Sequence, residues 1–487
     1  MKPETAILLT LVLPLAATLL TVLFSRRPNV REASTLITAG AVLLAVLSLL
    51  PRVLAGERPE LTLFEVLPGL AISFRVEPLG MLFAMIASGL WLVTTFYSIG
   101  YMRGHKEENQ TRFYACFAVA IFGALGVALA GNLFTLFLFY ELLTISTYPL
   151  VTHHGTEKAR RGGRVYLGIL FTTSIGLLLF AVIWTWNIAG TLDFREGGIL
   201  AGKIDGTTAT LLLALFAFGT GKAALMPFHR WLPAAMVAPT PVSALLHAVA
   251  VVKAGVFTVM KVIVYIFGID LLGGSGASVW LMYVAGFTVI AASLVALTRD
   301  NLKARLAYST ISQLSYIVLG AALAQSWGVI GGSMHIVMHA FGKITLFFCA
   351  GAIYLTTHKT EISDMRGIGR VMPVTMFAFL IGSLSVIGLP PFGGSWSKWY
   401  LVLGAAQAGQ GLFIAVLMVS SLLNVAYLIP IVVRGYFSTG DDGVQHPAIR
   451  EAPMFCVVPL CLTAAACLVL FFYADSIYEL LAPIVGV

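Results

Sequence analysis

The chain has 487 residues, of which 59% are hydrophobic and only 11% are charged. Soluble globular proteins carry about 25% charged residues, so this composition excludes a cytosolic enzyme, a disordered protein and a secreted disulfide scaffold. The net charge of +8 comes from basic residues in short loops, where they report membrane topology rather than a nucleic-acid partner. Apolar runs of about 20 residues, each able to cross a bilayer, recur along the whole chain. The chain is therefore a polytopic membrane protein.

Composition and motifs predict no metal and no cofactor. The five cysteines lie in apolar stretches without CxxC or Cys/His pairing, which disfavours disulfides, zinc and iron–sulfur clusters. There is no GxGxxG after a strand and no Walker A sequence, so no nucleotide site is expected. His335 and His339 have the spacing of metal ligands, but no third ligand accompanies them nearby. Any redox chemistry would therefore belong to a partner protein.

Hydropathy predicts an all-α fold of about fourteen transmembrane spans. The first run lacks a basic leader and is followed by Arg26 and Arg27, so it is interpreted as a retained span. The spans are placed at 4–24, 33–54, 78–100, 112–130, 133–151, 164–188, 208–227, 240–266, 277–297, 302–325, 327–355, 371–390, 395–434 and 454–478. Residues 395–434 are too many for one span, so their first part is assigned to a broken twelfth helix.

The distribution of basic residues predicts the orientation. Loops after odd-numbered spans, with the span edges beside them, hold 19 of the 30 Lys and Arg residues, against 6 on the other side. By the positive-inside rule, both termini are extracytoplasmic and the basic loop Lys158–Arg164 is cytoplasmic. Residues 56–77 are polar and irregular, and we expect them to form an extracytoplasmic hairpin or cap.

Five lysines and one glutamate fall within the predicted spans. Each charge buried in a membrane costs at least roughly 2.5 kcal/mol, so such residues pair, line water, or serve a function. Glu141 has no polar neighbour in FLFYELLTISTYPL; a structural ion pair is the alternative to a functional carboxylate. Burial disfavours the charged form of a lysine, whereas a nearby carboxylate favours it. A row of such groups is suited to relaying protons.

Two of the lysines stand beside predicted helix breaks. Lys222 precedes Pro227 by five residues, and the helix is expected to break just after the lysine. Lys398 follows Pro390, Pro391 and two glycines. Pro/Gly-interrupted segments in corresponding positions of two halves point to transporters built from inverted repeats. Extension of either lysine to the membrane interface is the alternative.

The eighth predicted span carries His247, Lys253 and Lys261. Lys253 lies mid-span, where a side chain cannot reach the interface, so a relay role is favoured, with His247 as a possible member. Lys261 is nearer the end of the span and is expected to extend to the interface.

One helical face of the eleventh span carries three titratable side chains. His335, His339 and Lys343 follow one another at intervals of four residues, which aligns them along that face. They are interpreted as part of a proton wire rather than as inert core histidines. His229, beside Arg230, is either a point where protons are taken up or an interfacial residue.

Several long stretches resemble one family. They are FYSIGYMRG to TRFYACF, GNLFTLFLFYELLTISTYPLVTH, GKAALMPFHRWLPAAMVAPTPVSALLHAVAVVKAGVF, NLKARLAYSTISQLSYI, MHIVMHAFGKITLFFCAGAI and GLPPFGGSWSKW. The chain resembles the antiporter-like subunits shared by Mrp-type Na⁺/H⁺ antiporters, respiratory complex I and membrane-bound hydrogenases. The resemblance implies fourteen spans with two inverted five-helix repeats and broken helices 7 and 12. It assigns residues 1–111 to an N-terminal segment, 112–267 and 277–434 to the repeats, and 435–487 to a C-terminal span.

The resemblance also implies roles for individual residues. Glu141 matches the carboxylate that pairs with the span-seven lysine, Lys222, and Lys253 matches the linking residue of span eight. The span-eleven group and Lys398 match the remaining relay positions. The lysine at 398 and the chain's length are most similar to the Mrp D-type subunit.

Three functions follow as hypotheses. The first is the proton-translocating subunit of a multisubunit monovalent cation (Na⁺)/H⁺ antiporter in a bacterial or archaeal cell membrane. The second is a proton-pumping subunit of an NADH-, ferredoxin- or hydrogenase-linked quinone oxidoreductase, or of an inorganic-carbon uptake complex. The third is a membrane scaffold with a degenerate relay, which the retained buried lysines disfavour. In each case the partners are other membrane subunits, and the chain alone is not an enzyme.

Overall fold

Long apolar helices dominate the structure, a computed structural model that describes residues 1–438 and 448–486. Within these residues, eleven helices are long and apolar enough to cross a membrane. They are Pro3–Leu23, Pro28–Leu54, Pro78–Gly104, Gln110–Leu129, Leu133–Val151, Glu157–Ala189, Thr240–Phe267, Val279–Thr298, Ser326–Thr357, Gly411–Phe437 and Met454–Phe472. The prediction of a helical polytopic membrane protein is confirmed.

Four further helices lie between these: Gly206–Gly219, Leu302–Ala322, Pro373–Ile387 and Gly394–Gln407. Leu302–Ala322 is long enough for a span, but its first turn carries charged side chains. The other three have 14 or 15 residues each, too few to cross a bilayer alone. The stretch 395–434 is thus divided between two helices, with Gly409 between them at a φ of 67°.

Local sequence explains where several helices begin. The side chains of Asn132, Asp205 and Asn301 accept hydrogen bonds from backbone N–H groups three residues later, which satisfies donors that a helix N-terminus leaves free. Prolines occupy the first turn of other helices, where no N–H partner is needed. These helices are Pro3–Leu23, Pro28–Leu47, Pro78–Gly104 and Pro373–Ile387.

A β-hairpin interrupts the helices before residue 78. Strands β1 (Glu60–Leu67) and β2 (Leu70–Arg75) pair antiparallel, with Glu60 opposite Arg75. Asn132 fastens the hairpin to the helix Leu133–Val151, because its side-chain amide donates to Ala71 O and Ser73 Oγ. The predicted hairpin is confirmed as a structure. Short helical segments complete the described chain at Trp231–Ala234, Ile269–Ser275, Ile368–Val371 and Ala474–Leu481.

Burial separates a central group of helices from a peripheral one. All of the most apolar window of Thr240–Phe267 is buried, and 94% of that in Ser326–Thr357. Only 33–39% is buried in Pro3–Leu23, Gly411–Phe437 and Met454–Phe472. The peripheral helices therefore present apolar faces outward, as a lipid environment requires, whereas the central helices are enclosed by protein.

The helix before Lys222 ends earlier than the sequence predicted. It stops at Gly219, and Lys222 lies in a single tight turn, Gly221–Ala223, so the expected break just after the lysine was wrong. Close packing explains the position, because a Cβ on Gly219 would lie 2.5 Å from the backbone nitrogen of Leu178. Ala224 follows at a φ of 55°, a conformation that ends regular helix. The side chain of Lys222 is thereby carried by irregular backbone in the protein interior.

Candidate functional site

Lys222 is fully buried against the helix Leu133–Val151. Its Nζ donates hydrogen bonds to Tyr140 O at 2.8 Å and to Thr144 Oγ1 at 2.5 Å. The ammonium group also lies 3.2 Å from the centre of the Tyr140 ring, a cation–π contact. The backbone N–H of Lys222 donates to the Tyr140 hydroxyl, which fixes the turn to the same tyrosine. These contacts stabilise a charged group in the membrane interior without a direct ion pair.

Glu141 follows Tyr140 on the same helix but does not contact the lysine ammonium. Both carboxylate oxygens are buried, and neither has a hydrogen-bond partner in the described part of the chain. Among these residues no ion pair within 4 Å joins Glu141 to Lys222, although the resemblance implied that the two pair. The carboxylate is thus adjacent in the chain to a residue that binds the lysine, yet it is not neutralised. An unpaired buried carboxylate is costly, which is typical of a functional group.

Lys253 and His339 form the most direct contact between two predicted relay residues. Lys253 Nζ lies 2.6 Å from His339 Nδ1, and both side chains are buried. An ammonium group only donates and a neutral imidazole nitrogen accepts, so one proton between these atoms can reside on either partner. The contact joins two of the most enclosed helices, Thr240–Phe267 and Ser326–Thr357.

The remaining span-eleven residues contact polar side chains that sequence reasoning did not identify. Lys343 Nζ donates to Ser309 Oγ at 2.6 Å, on the helix Leu302–Ala322. His335 is hydrogen-bonded through Nδ1 to Ser397 Oγ at 2.8 Å and through Nε2 to Gln313 Oε1 at 3.1 Å. The rings of His335 and His339 are 5.9 Å apart. The predicted face therefore aligns, and each of its members has a polar neighbour on another helix.

Lys398 lies near the start of Gly394–Gln407, after the interruption at Pro390 and Pro391. Its Nζ donates to Ile387 O at 2.8 Å and to Ser421 Oγ at 3.1 Å. The side chain also lines an apolar groove of about 800 Å³. Lys398 is therefore buried, as a relay residue would be, and does not extend to an interface.

The two additional histidines occupy different environments. His247 is fully buried in a π-helical turn, Leu245–Val249, and neither ring nitrogen has a partner among residues 1–438 and 448–486. Such turns occur frequently at functional sites. His229 is half-buried, with its ring 6.3 Å from that of Tyr308. It follows the cis peptide bond Met226–Pro227, and Pro390–Pro391 is also cis.

Sequence reasoning missed a buried ion pair. Lys261 Nζ lies 2.5 Å from Glu77 Oε1 and donates a hydrogen bond to Ala130 O. Lys261 is fully buried, so its expected extension to the interface was wrong. The only available signal was Glu77 itself, a carboxylate directly before Pro78 at the start of an apolar helix. In the described residues, no cluster of three or more His, Cys, Asp or Glu side chains is arranged to hold a metal.

Comparison with known proteins identifies the family. Residues 130–424 match the family described as NADH:quinone oxidoreductase/Mrp antiporter, TM, and residues 69–114 match NADH-Ubiquinone oxidoreductase (complex I), chain 5 N-terminus. The chain is 32% identical to NADH-quinone oxidoreductase subunit N of Desulforudis audaxviator, over 93% of this chain and 89% of that protein. It is 29% identical to a Na(+)/H(+) antiporter subunit of Alkalihalophilus pseudofirmus, over 85% of this chain but only 54% of the longer relative.

Two solved structures share the fold over nearly the whole chain. A chain of the membrane-bound sulfane sulfur reductase, an archaeal respiratory membrane complex, matches with a TM-score of 0.88 and 26% identity, over 99% of this chain and 98% of that one. A chain of the Mrp complex from Dietzia sp. DQ12-45-1b matches with a TM-score of 0.87 and 22% identity, over 100% and 97%. The predicted family is confirmed: the chain belongs to the NADH:quinone oxidoreductase/Mrp antiporter transmembrane family.

Proposed function

We propose that the chain is the proton-translocating subunit of a multisubunit Na⁺/H⁺ antiporter, and that protons move along its buried lysines and histidines. The observation that carries this proposal is the 2.6 Å contact between Lys253 Nζ and His339 Nδ1. Two bases at this distance exchange a proton without any movement of the backbone. Relatives named as Na(+)/H(+) antiporter subunits support the proposal.

The proposed architecture has fourteen spans. Eleven long helices and Leu302–Ala322 make twelve, and two interrupted segments supply spans seven and twelve. Gly206–Gly219 with the chain through Pro227 would form the first, and Pro373–Ile387 with Gly394–Gln407 the second. Residues 112–267 and 277–434 would be inverted five-helix repeats, with 1–111 before them and 435–487 after. Of the last segment, residues 439–447 and 487 lie outside the described residues.

The proposed route begins on the cytoplasmic side, near His229 or the span-seven interruption, and reaches Lys222. It continues to Lys253, through the span-eleven face, and on to Lys398, from which the proton leaves on the opposite side. His247 lies on the same helix as Lys253 and is a further candidate. Water molecules complete the steps that are longer than one hydrogen bond.

Glu141 is proposed to control the first lysine. Burial disfavours the ammonium form of Lys222, and a nearby negative charge favours it. The contacts of Lys222 to Tyr140 O and Thr144 Oγ1 are to neutral groups, which hold the ammonium less firmly than a contact ion pair would. A change in the charge or position of Glu141 therefore switches Lys222 between holding and releasing its proton.

The proposed setting is a bacterial or archaeal cell membrane, with both termini extracytoplasmic and the loop Lys158–Arg164 cytoplasmic. The partners are other membrane subunits, which supply the Na⁺ site or the energy of electron transfer. The assignment to a D-type subunit stays a prediction. So does the absence of a metal or cofactor in this chain.

A second candidate function is proton pumping within a redox complex. It is favoured by the relative named NADH-quinone oxidoreductase subunit N, which matches 93% of this chain. In that case the same residues relay protons, but electron transfer in partner subunits drives them. An inorganic-carbon uptake complex is a further alternative for the parent assembly.

The test is isolation of the native complex in mild detergent, with identification of every co-purifying subunit by mass spectrometry. Small hydrophobic antiporter subunits, with Na⁺-driven proton flux after reconstitution, are the expected result. Iron–sulfur, flavin or hydrogenase subunits would replace the antiporter by the redox pump. A complex that moves no protons under either driving force would reject both functions.

A further inference from the structure

A polar cavity of about 440 Å³ opens on the face that carries the basic loops. Its wall includes the segment after Pro78–Gly104 and the segment after Leu133–Val151. Its inner end is formed by Ala238 and Thr240, at the start of the helix Thr240–Phe267. That helix carries His247 and Lys253 further inward. His229 is not among the cavity's lining residues.

One carboxylate in this cavity is surrounded by three imidazoles. Glu107 Oε1 lies 3.0 Å from His105 Nδ1 and 3.2 Å from His154 Nε2, and its Oε2 lies 3.7 Å from His153 Nε2. The Glu107 side chain is only 7% exposed. Four titratable groups at these distances can hold an extra proton jointly. The other charged neighbours are Arg112, which donates to His153 O, and Lys303, which donates to Ala238 O.

The electrostatics of the cluster separate its members. Burial opposes ionisation of Glu107, but the hydrogen bond from His154 and the three imidazoles outweigh it and lower the pKa of the carboxyl. The hydrogen bond to Glu107 raises the pKa of His154, against the effect of its partial burial. Burial lowers the pKa of His153 despite the nearby carboxylate. His154 is therefore the imidazole that takes up a proton first, with a less basic imidazole beside it.

We propose that this cavity is where protons enter the relay, with the Glu107–His154 pair taking each proton from water and passing it towards His247. The step consumes one hydronium ion and leaves water, and the pair returns to its starting charge when the proton moves inward. His247 is a suitable recipient because both of its ring nitrogens lack partners in the described residues. The inference rests on the proposed function and replaces His229 as the uptake point.

The test is Glu107→Gln in the assembled complex, with proton flux measured in inverted vesicles whose outer solution sets the pH at this face. Glutamine removes the charge that raises the pKa of His154, so the imidazole returns towards its ordinary value and is less often protonated above neutral pH. We expect flux to fall about tenfold near pH 8, corresponding to about one pKa unit. At about pH 6, an ordinary imidazole is itself mostly protonated, so flux should approach that of the unaltered complex.

Two further variants decide the outcome. Glu157→Gln removes an exposed carboxylate, paired with Arg164 on the same face, and should leave the profile unchanged. His154→Gln should reproduce the alkaline loss, and it carries the test if Glu107→Gln does not assemble. Unaltered pH profiles for both cavity variants, with flux abolished by Lys222→Ala, would overturn the uptake site alone. Normal flux in Lys222→Ala would instead overturn the proposed function.

Discussion

The protein buries two lysines near glutamates and treats them differently. Lys261 and Glu77 form a contact ion pair, with Nζ and Oε1 2.5 Å apart. Lys222 is held by neutral oxygen atoms, while both oxygens of Glu141 stay unpartnered in the described structure. A closed pair fixes its proton on the lysine and neutralises both charges. An open arrangement leaves the proton free to move, so the comparison separates a structural pair from a functional one.

The largest expected effect is on transport. Lys222→Ala should lower proton flux at least about 100-fold, because a positioned proton carrier contributes about that much. Flux is measured with a pH-sensitive dye in vesicles that contain the assembled complex, and assembly is checked on a native gel. Lys203→Ala, which removes an exposed lysine, is the matched control. Normal flux in Lys222→Ala would place this lysine with the structural pair.

The second expected effect is on stability. Lys261→Met leaves Glu77 as an uncompensated buried charge and should destabilise the fold by about 3–5 kcal/mol. Thermal unfolding of the detergent-solubilised chain measures the loss. The double variant Lys261→Met/Glu77→Leu removes both charges and should recover most of it, and the folded fraction should still transport. Loss of transport in a stable double variant would show that this pair also belongs to the relay.

A smaller effect is expected at the carboxylate. Glu141→Gln keeps the shape of the side chain and removes its charge, so Lys222 holds its proton less firmly. We expect flux to fall about tenfold, which corresponds to one pKa unit of interaction. Glu157→Gln again serves as the control for loss of a carboxylate. Unchanged flux would mean that Glu141 does not influence the lysine.

The smallest effect is expected from one hydrogen bond. Thr144→Val removes the hydroxyl that accepts from Lys222 Nζ and leaves the bond to Tyr140 O. A single hydrogen bond contributes about 1 kcal/mol, so the flux should change by about fivefold. The initial rate of flux at several pH values measures this change. A complete loss would indicate that the threonine carries protons itself.

The sequence located the charged residues but not their partners. A lysine inside an apolar run is visible in the chain alone, which is why Lys222, Lys253, Lys343 and Lys398 were identified. Tyr140 binds Lys222 through its backbone carbonyl, which leaves no trace in a side-chain pattern. Glu77 meets Lys261 only because the fold brings a helix start against a distant span, so the lysine was expected at the interface. The end of a helix at Gly219 depends on close packing against Leu178, which spacing does not reveal.

The enclosure of the central helices has a consequence in electrical terms. Thr240–Phe267 is wholly buried in its apolar window, so the groups it carries have protein, not lipid, on every side. The insulation around the proton conductor is therefore built by the chain's own peripheral helices. Changes in lipid composition should act on that outer sheath first and leave the conductance of the core little altered.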